Sequence, residues 1–347
     1  MKKKRIICPI AALLCLILSL WAAGRLLEPK HMDESVDGAL ISEYYAEADE
    51  GREHAVIFLG DCEVYESFVP PFLWEQYGIT SFVRGSPGQT VWQSYYLLSE
   101  MLEYERPQAV VFNVYALRYG ERQSEVYNRL TLDGMRWSAH KSGAIKASVG
   151  EGESYLSYLL PILRYHDRWQ EISRDDLKYF FSRESVSHNG YLLRAGVVPM
   201  TEVSDGGPIA DVSLPERSME YLDTIKALCD GVGAELILVK APTNTWRYWW
   251  YDEWDRQVAE YAARNKIGYY NFIGDGNVGI DWQKDSYDGG FHLNLFGAEK
   301  LTERFGEILV SDYGLESFKD DPETAKLWDG KLEKYLEDKN AAIAAEE

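Results

Sequence analysis

The sequence predicts an α/β fold: one five-stranded parallel sheet covered by helices on both faces. Three observations lead there. Short, continuous apolar runs recur along the chain, as strands buried on both faces do. Segments with helical spacing alternate with them, and such alternation favours a parallel sheet. Turn-forming residues, often Gly or Pro, follow the runs, where the chain must leave the sheet.

Each element follows in order. Ala55 to Leu59 is the first run, ending in Gly60-Asp61-Cys62. A polar-edged helical segment, Val64 to Tyr77, comes next. Ile79 to Val83 is a second short strand that runs into Arg84-Gly85-Ser86-Pro87-Gly88-Gln89. Thr90 to Glu105 places Val91, Tyr95, Leu98 and Leu102 on one helical face, and Pro107 stops it. Gln108 to Val114 is a third buried strand with Asn113 at its carboxyl end. The pattern then lapses until the helix Glu216 to Gly231, so residues 120–215 read as an insertion of helices and loops. Ala234 to Lys240 is strand four, Asp252 to Asn265 a helix, and Ile267 to Phe272 the fifth strand. Leu295 to Ser311 is the last helix of the domain.

The ends have a different character. Lys2-Lys3-Lys4-Arg5 precede an uncharged apolar run from Ile6 to Ala23. As a helix that run spans about 27 Å, close to a bilayer's hydrocarbon core of roughly 30 Å. Its basic flank belongs on the cytoplasmic side, which puts the remainder outside the cell membrane on a single-pass anchor. A cleaved signal peptide is the competing reading, and the apolar run is long for one. Residues 1–29 are thus expected to be an anchor, 30–53 a polar linker, 54–315 the domain, and 316–347 a charged, peripheral helical tail.

Composition narrows the partners. A hydrophobic share of 46% over 347 residues is that of a globular chain. The net charge of −20 argues against nucleic acid or an anionic membrane surface as the main partner. Of four cysteines, Cys8 and Cys15 lie in the anchor, which leaves Cys62 and Cys229. Two cysteines are no disulfide framework, and Cys229 sits in a helix expected to pack on a sheet face, away from Cys62. His54, His140, His166 and His188 lack ligand spacing such as His-x-x-x-His, so neither metal nor cofactor is expected.

In a parallel sheet, Cys62, the Gly85–Gly88 turn, Asn113 and the loop Asp288-Gly289-Gly290-Phe291-His292 all fall at carboxyl ends of strands, where open α/β sheets bind ligands. Cys62 is placed to be a nucleophile, with an acid and a base available from the far end of the chain. The aromatic stretch Trp246 to Trp254 follows strand four at the same edge. Trp246 and Trp249 suit stacking on sugar rings, or simply cover the sheet edge or face the bilayer. Lys240, also near that edge, reads as a solvated lysine.

On these residues the chain resembles the SGNH hydrolase superfamily, and within it the membrane-anchored branch related to cell-wall and exopolysaccharide O-acetylation and teichoic-acid D-alanyl transfer. Gly60-Asp61-Cys62 stands for the family's Gly-Asp-Ser block, Gly85 or Gly88 for its glycine block, and Asp288 with His292-Leu293-Asn294 for its terminal block. Three departures are visible. Cysteine replaces serine, the acid lies four residues before the histidine instead of three, and Asn113 stands alone where a Gly-x-Asn-Asp is expected. The resemblance implies a flavodoxin-like three-layer fold and acyl-ester chemistry, by hydrolysis or O-acyl transfer on a cell-envelope glycan.

In that chemistry Cys62 attacks the acyl carbonyl, His292 takes its proton, and Asp288, with Asp285 as second candidate, orients the imidazole. The N–H groups of Cys62 and of Gly85 or Gly88, with the Asn113 side chain, would hold the oxyanion. A helix N-terminus and His292 would lower the Cys62 pKa, while Asp61 and Glu63 on either side would raise it, and the sequence leaves both directions open. A transferase of this kind would need a multi-spanning membrane O-acyltransferase as partner. The rival reading is an inactive relative that binds envelope glycan or an assembly partner, and a redox or scaffold role for Cys62 is a third.

Overall fold

A computed structural model describes residues 2–28, 38–181, 188–200, 211–243, 251–273 and 278–346. Its centre is a sheet of β1 (Val56–Gly60), β2 (Ser81–Gly85), β3 (Ala109–Asn113), β4 (Glu235–Lys240) and β5 (Gly268–Asn271). The strands lie in the order β2-β1-β3-β4-β5, and every neighbouring pair is parallel. This is the flavodoxin-like order, with its topological switch point between β1 and β3. The second strand starts at Ser81 instead of Ile79. Thr80 is used first to tether β1, its side chain accepting from Ala55 N and its carbonyl from Val56 N.

Side chains alternate across the sheet, as a period of two requires. Val56, Phe58, Val111, Ile237 and Val239 feed one core layer. It is closed by Pro70–Tyr77, Leu295–Ser311 and Pro322–Glu346 through Leu73, Leu301, Phe305 and Tyr335. Ile57, Leu59, Phe112 and Leu238 feed the other. Val91–Met101, Glu216–Val232 and Tyr251–Asn265 close it through Leu98, Ile225 and Val258. Cys229 is buried in this second layer, whereas Cys62 packs against the first, and both are free thiols.

Two segments expected to lie outside the domain are built into it. The stretch read as linker holds a helix, Gly38–Asp49, whose Tyr44 and Tyr45 are buried. Tyr44 meets Phe82 edge-on at 5.2 Å, and Tyr45 donates to Glu100 Oε2 at 2.6 Å. The tail forms the helix Pro322–Glu346 and buries Trp328 and Tyr335. Aromatic side chains of this size bury about 150–250 Å² each, so the tail belongs to the core. Charge concealed both. Lys331 on the tail pairs with Glu43 at 2.6 Å and Glu47 at 2.7 Å, and His54 lies between Glu47 and Glu105. The acidic residues that suggested solvation are neutralised by partners distant in sequence.

The insertion is helical, with Glu125–Leu132, Ala139–Ser148, Tyr155–Leu159, Ile162–Tyr165 and Arg174–Phe181. Leu132, Met135, Ile145 and Tyr158 form a small core of its own against Leu97. The helix Lys2–Leu27 contains Pro9–Leu27, 19 residues of mean hydropathy 2.1, long and apolar enough to cross a membrane. The first thirty residues were expected to stand apart from the fold, yet this helix packs by its end against the insertion. Gly24 lies in van der Waals contact with Pro161 and Ile162.

Candidate active site

The site grows from the end of β1. A Cβ on Gly60 would stand 2.9 Å from the Asn113 Cβ and collide with the Val64 side chain, so only glycine lets β1 turn here. Asp61 then caps a single helical turn, Cys62–Tyr65, its Oδ1 accepting from Glu63 N at 3.3 Å. Gly85 is in register beside Gly60, and a Cβ there would lie 2.9 Å from the Asp61 carbonyl. Gly88 sits at φ +64 in a turn closed by Gln89 N to Ser86 O at 3.0 Å, with the Tyr127 ring over it.

The opposite wall is the loop before Leu295–Ser311. Asn294 caps that helix, accepting from Phe296 N and Gly297 N, and its Nδ2 donates to Gly196 and Lys284 carbonyls. Gly289 and Gly290 both have positive φ and fold the loop back on itself. Asp288 Oδ1 can then accept from His292 N at 2.8 Å, while its Oδ2 lies 2.5 Å from His292 Nδ1. The extra residue between acid and histidine is absorbed by this glycine pair. His292 Nε2 faces Cys62 Sγ at 3.2 Å. Thiol, imidazole and carboxylate therefore form one continuous chain at the carboxyl edge of the sheet, next to its switch point.

Electrostatics set the resting protonation. Burial raises the Cys62 pKa to about 12, and Asp61 adds to the effect while His292 opposes it. Burial disfavours charge on His292. The hydrogen bonds of Asp288 and Cys62 and the Glu66 charge outweigh burial and raise its pKa to about 12. At neutral pH the thiol is therefore neutral and the imidazole charged. Forming the thiolate–imidazolium pair requires loss of the thiol proton, which becomes easier as pH rises.

Glu66 escaped the sequence reading. It lies four residues after Cys62, so one helical turn brings both to the same side. Its Oε2 is 3.4 Å from His292 Nε2 and its Oε1 accepts from Tyr287 OH at 2.5 Å. Burial pushes the Glu66 pKa up to about 7, against the pull of His292 and Tyr287. The Tyr287 ring stacks on the imidazole at 6.1 Å between centroids.

Behind Cys62 lies a second, buried cluster. Lys240 Nζ donates to both Glu63 oxygens at 2.8 and 2.7 Å, and to the Ala241 carbonyl. Lys240 is not the solvated residue the sequence suggested, because Glu63 turns inward to meet it. Asn113 donates to Glu63 Oε2 at 2.9 Å and to Asp61 Oδ1 at 3.4 Å, and accepts from Ala241 N. Its amide hydrogens are thus committed to carboxylates, which removes it as a third oxyanion donor and makes it a clamp between β1, β3 and β4. Burial and Glu63 raise the Asp61 pKa to about 7.

Asp285, the second candidate for the acid, faces elsewhere: its Oδ2 binds Lys300 Nζ at 2.6 Å and Asp281 N at 2.7 Å. Trp246 and Trp249 lie outside the described residues. Trp254, from the same aromatic stretch, is buried and stacks on Tyr251. The returning end of the insertion also builds the site. Leu192 N donates to Tyr65 O, Val198 N to Ser286 O and Leu295 N to Arg194 O, so residues 192–198 lace the Cys62 turn to the His292 loop.

No family model matches this chain, and no curated protein does. Among solved structures it is similar to a candidate acylhydrolase from Bacteroides fragilis NCTC 9343, at 13% identity and a TM-score of 0.39, over 80% of this chain and 98% of that one. It is also similar to a GDSL-like lipase from Bacteroides thetaiotaomicron VPI-5482, at 14% identity and a TM-score of 0.36, over 78% of this chain and 98% of that one.

Proposed function

We propose that this chain is an SGNH-type acyl-ester enzyme, anchored in the cell membrane by Pro9–Leu27 and acting outside it on an acylated cell-envelope carbohydrate. The observation that carries the reading is the chain Cys62 Sγ–His292–Asp288, at 3.2 and 2.5 Å, at the carboxyl edge of a parallel sheet. The Cys62 thiolate adds to the acyl carbonyl, and the oxyanion is met by the N–H groups of Cys62 and Gly85 or Gly88. Collapse breaks the ester C–O bond, and the departing alkoxide takes the proton of His292. A thioester on Cys62 remains. Water or a sugar hydroxyl then attacks it, gives its proton to His292, and restores the thiolate–imidazolium pair. Asp288 stabilises the charged imidazole at each stage. Water as acceptor makes the enzyme an esterase, and a sugar hydroxyl makes it an O-acyltransferase working with a multi-spanning membrane O-acyltransferase as donor partner.

The test incubates the full chain in detergent with a short acyl ester, with and without an oligosaccharide acceptor. Released acid and acylated sugar are quantified for wild type, Cys62→Ala and His292→Ala. Turnover by wild type alone supports the reading, and the product names the acceptor. The upward shift of Cys62 favours a second reading, a non-catalytic protein that binds envelope glycan or an assembly partner. Equal background rates for all three proteins would select it.

A further inference from the structure

The insertion carries an apolar surface that the catalytic reading leaves unused. Between residues 156 and 177, Leu156, Leu159, Leu160, Leu163, Trp169 and Leu177 are all exposed, from 38% at Leu160 to 64% at Trp169. Soluble surfaces rarely gather so many large apolar side chains in so short a stretch. The helices bearing them are not remote from the anchor. Ile162–Tyr165, the turn His166–Glu171 and Arg174–Phe181 all pack on the helix Lys2–Leu27. Arg168 Nη1 donates to the Leu27 and Glu28 carbonyls, both at 3.0 Å, and so caps that helix's C-terminus. Trp21 meets Phe180 edge-on at 6.5 Å. The segments bearing Leu163, Trp169 and Leu177 therefore pack on the one described helix both long and apolar enough to span a bilayer, and the helix Tyr155–Leu159 adjoins them.

We propose that the exposed face of residues 156–177 is a bilayer-docking surface, which lays the insertion into the outer lipid interface and seats the domain on the membrane. The inference rests on the membrane reading of Pro9–Leu27 given above. Continuity names the occupant. Where that helix leaves the hydrocarbon, the side chains packed around it lie at interfacial depth, and exposed leucines with a tryptophan are what that depth accepts. The consequence reaches the site. The insertion leaves and rejoins the core at the carboxyl edge, where Gly120 abuts Pro215 and Ser218 donates to the Tyr119 carbonyl at 2.8 Å. Docking it would hold the Cys62 edge at a set height over the lipid, suited to an acylated substrate that is itself attached to the membrane.

The test uses the full chain in proteoliposomes, in a background in which all four cysteines are replaced, Cys8→Ser/Cys15→Ser/Cys62→Ser/Cys229→Ala. Single cysteines are placed at Ile17, Leu159 and Val310 and labelled with an environment-sensitive fluorophore. Brominated acyl chains should quench Ile17→Cys and Leu159→Cys, and leave Val310→Cys, on the helix Leu295–Ser311, unquenched. Quenching at Ile17→Cys without quenching at Leu159→Cys overturns the docking surface and spares the anchor. Loss of quenching at both overturns the membrane reading itself. A Leu159→Cys probe shielded from lipid and from aqueous iodide alike means that protein covers this face, and the proposal fails.

Discussion

Two ionic clusters flank Cys62, and water reaches them differently. On one side His292 and Asp288 on the loop wall are 24% and 28% exposed, with the Tyr287 ring stacked on the imidazole and the buried Glu66 behind it on the Cys62 turn. On the other, Lys240, Glu63, Asn113 and Asp61 are sealed between strand ends, Lys240 at 2%. A group that exchanges protons with a substrate has to be reachable, whereas a paired charge under a turn has to be dry and satisfied. The first cluster suits chemistry. The second holds the glycine turn that presents Cys62. Proximity to Cys62 does not separate them, but exposure and partner count do.

The largest expected effect breaks the reachable cluster. His292→Ala should lower acyl-ester turnover by about 10²–10⁴-fold, as loss of a general acid–base does. Thermal unfolding should stay close to wild type, since the imidazole is partly exposed. Equal rates for both proteins would move the chemistry elsewhere. Breaking the sealed cluster should reverse that pattern. Lys240→Met leaves Glu63 buried without its cation and should cost about 3–5 kcal/mol in denaturant unfolding. Adding Glu63→Leu should recover most of that loss. A Lys240→Met protein as stable as wild type would show that the pair is not the structural clamp described here.

Two smaller effects sharpen the contrast. With its pKa raised to about 12, Cys62 is mostly thiol at neutral pH. Its alkylation by iodoacetamide, followed on the Cys62 peptide by mass, should climb about tenfold per pH unit between pH 7 and 10. A plateau reached below about pH 8 would contradict the upward shift. Glu66 raises the pKa of both Cys62 and His292. Glu66→Gln should therefore move the alkylation profile to lower pH by less than about one unit, with no loss of fold. An unmoved profile would remove Glu66 from the electrostatics of the pair.

The sheet was legible because its strands are buried on both faces and so appear as uninterrupted apolar runs. The helix Leu295–Ser311 was read at the bounds the structure shows, and its Asn294 cap emerged only from the structure. The approach of Cys62, His292 and Asp288 followed from topology, since strand ends share an edge. What stayed hidden has a common physical origin. Glu43, Glu47 and Lys331 looked like solvated charges because each one's partner is far along the chain. Lys240 was misread for the same reason, its partner Glu63 lying 177 residues away. Asn113 was correctly placed at the edge, but the direction of an amide depends on which carboxylates turn inward. Glu66 was within reach of a closer reading, because its spacing of four from Cys62 is a helical signal.

The acyl-enzyme tests the central claim most directly. Full-length protein is mixed with a short acyl ester at pH 9, quenched in acid, and digested, and the mass of the Cys62 peptide is recorded before and after neutral hydroxylamine. An acyl mass increment on Cys62 that hydroxylamine removes is expected in wild type and not in His292→Ala. A folded wild-type protein with an unmodified Cys62 peptide, or an adduct of equal yield in His292→Ala, would contradict it.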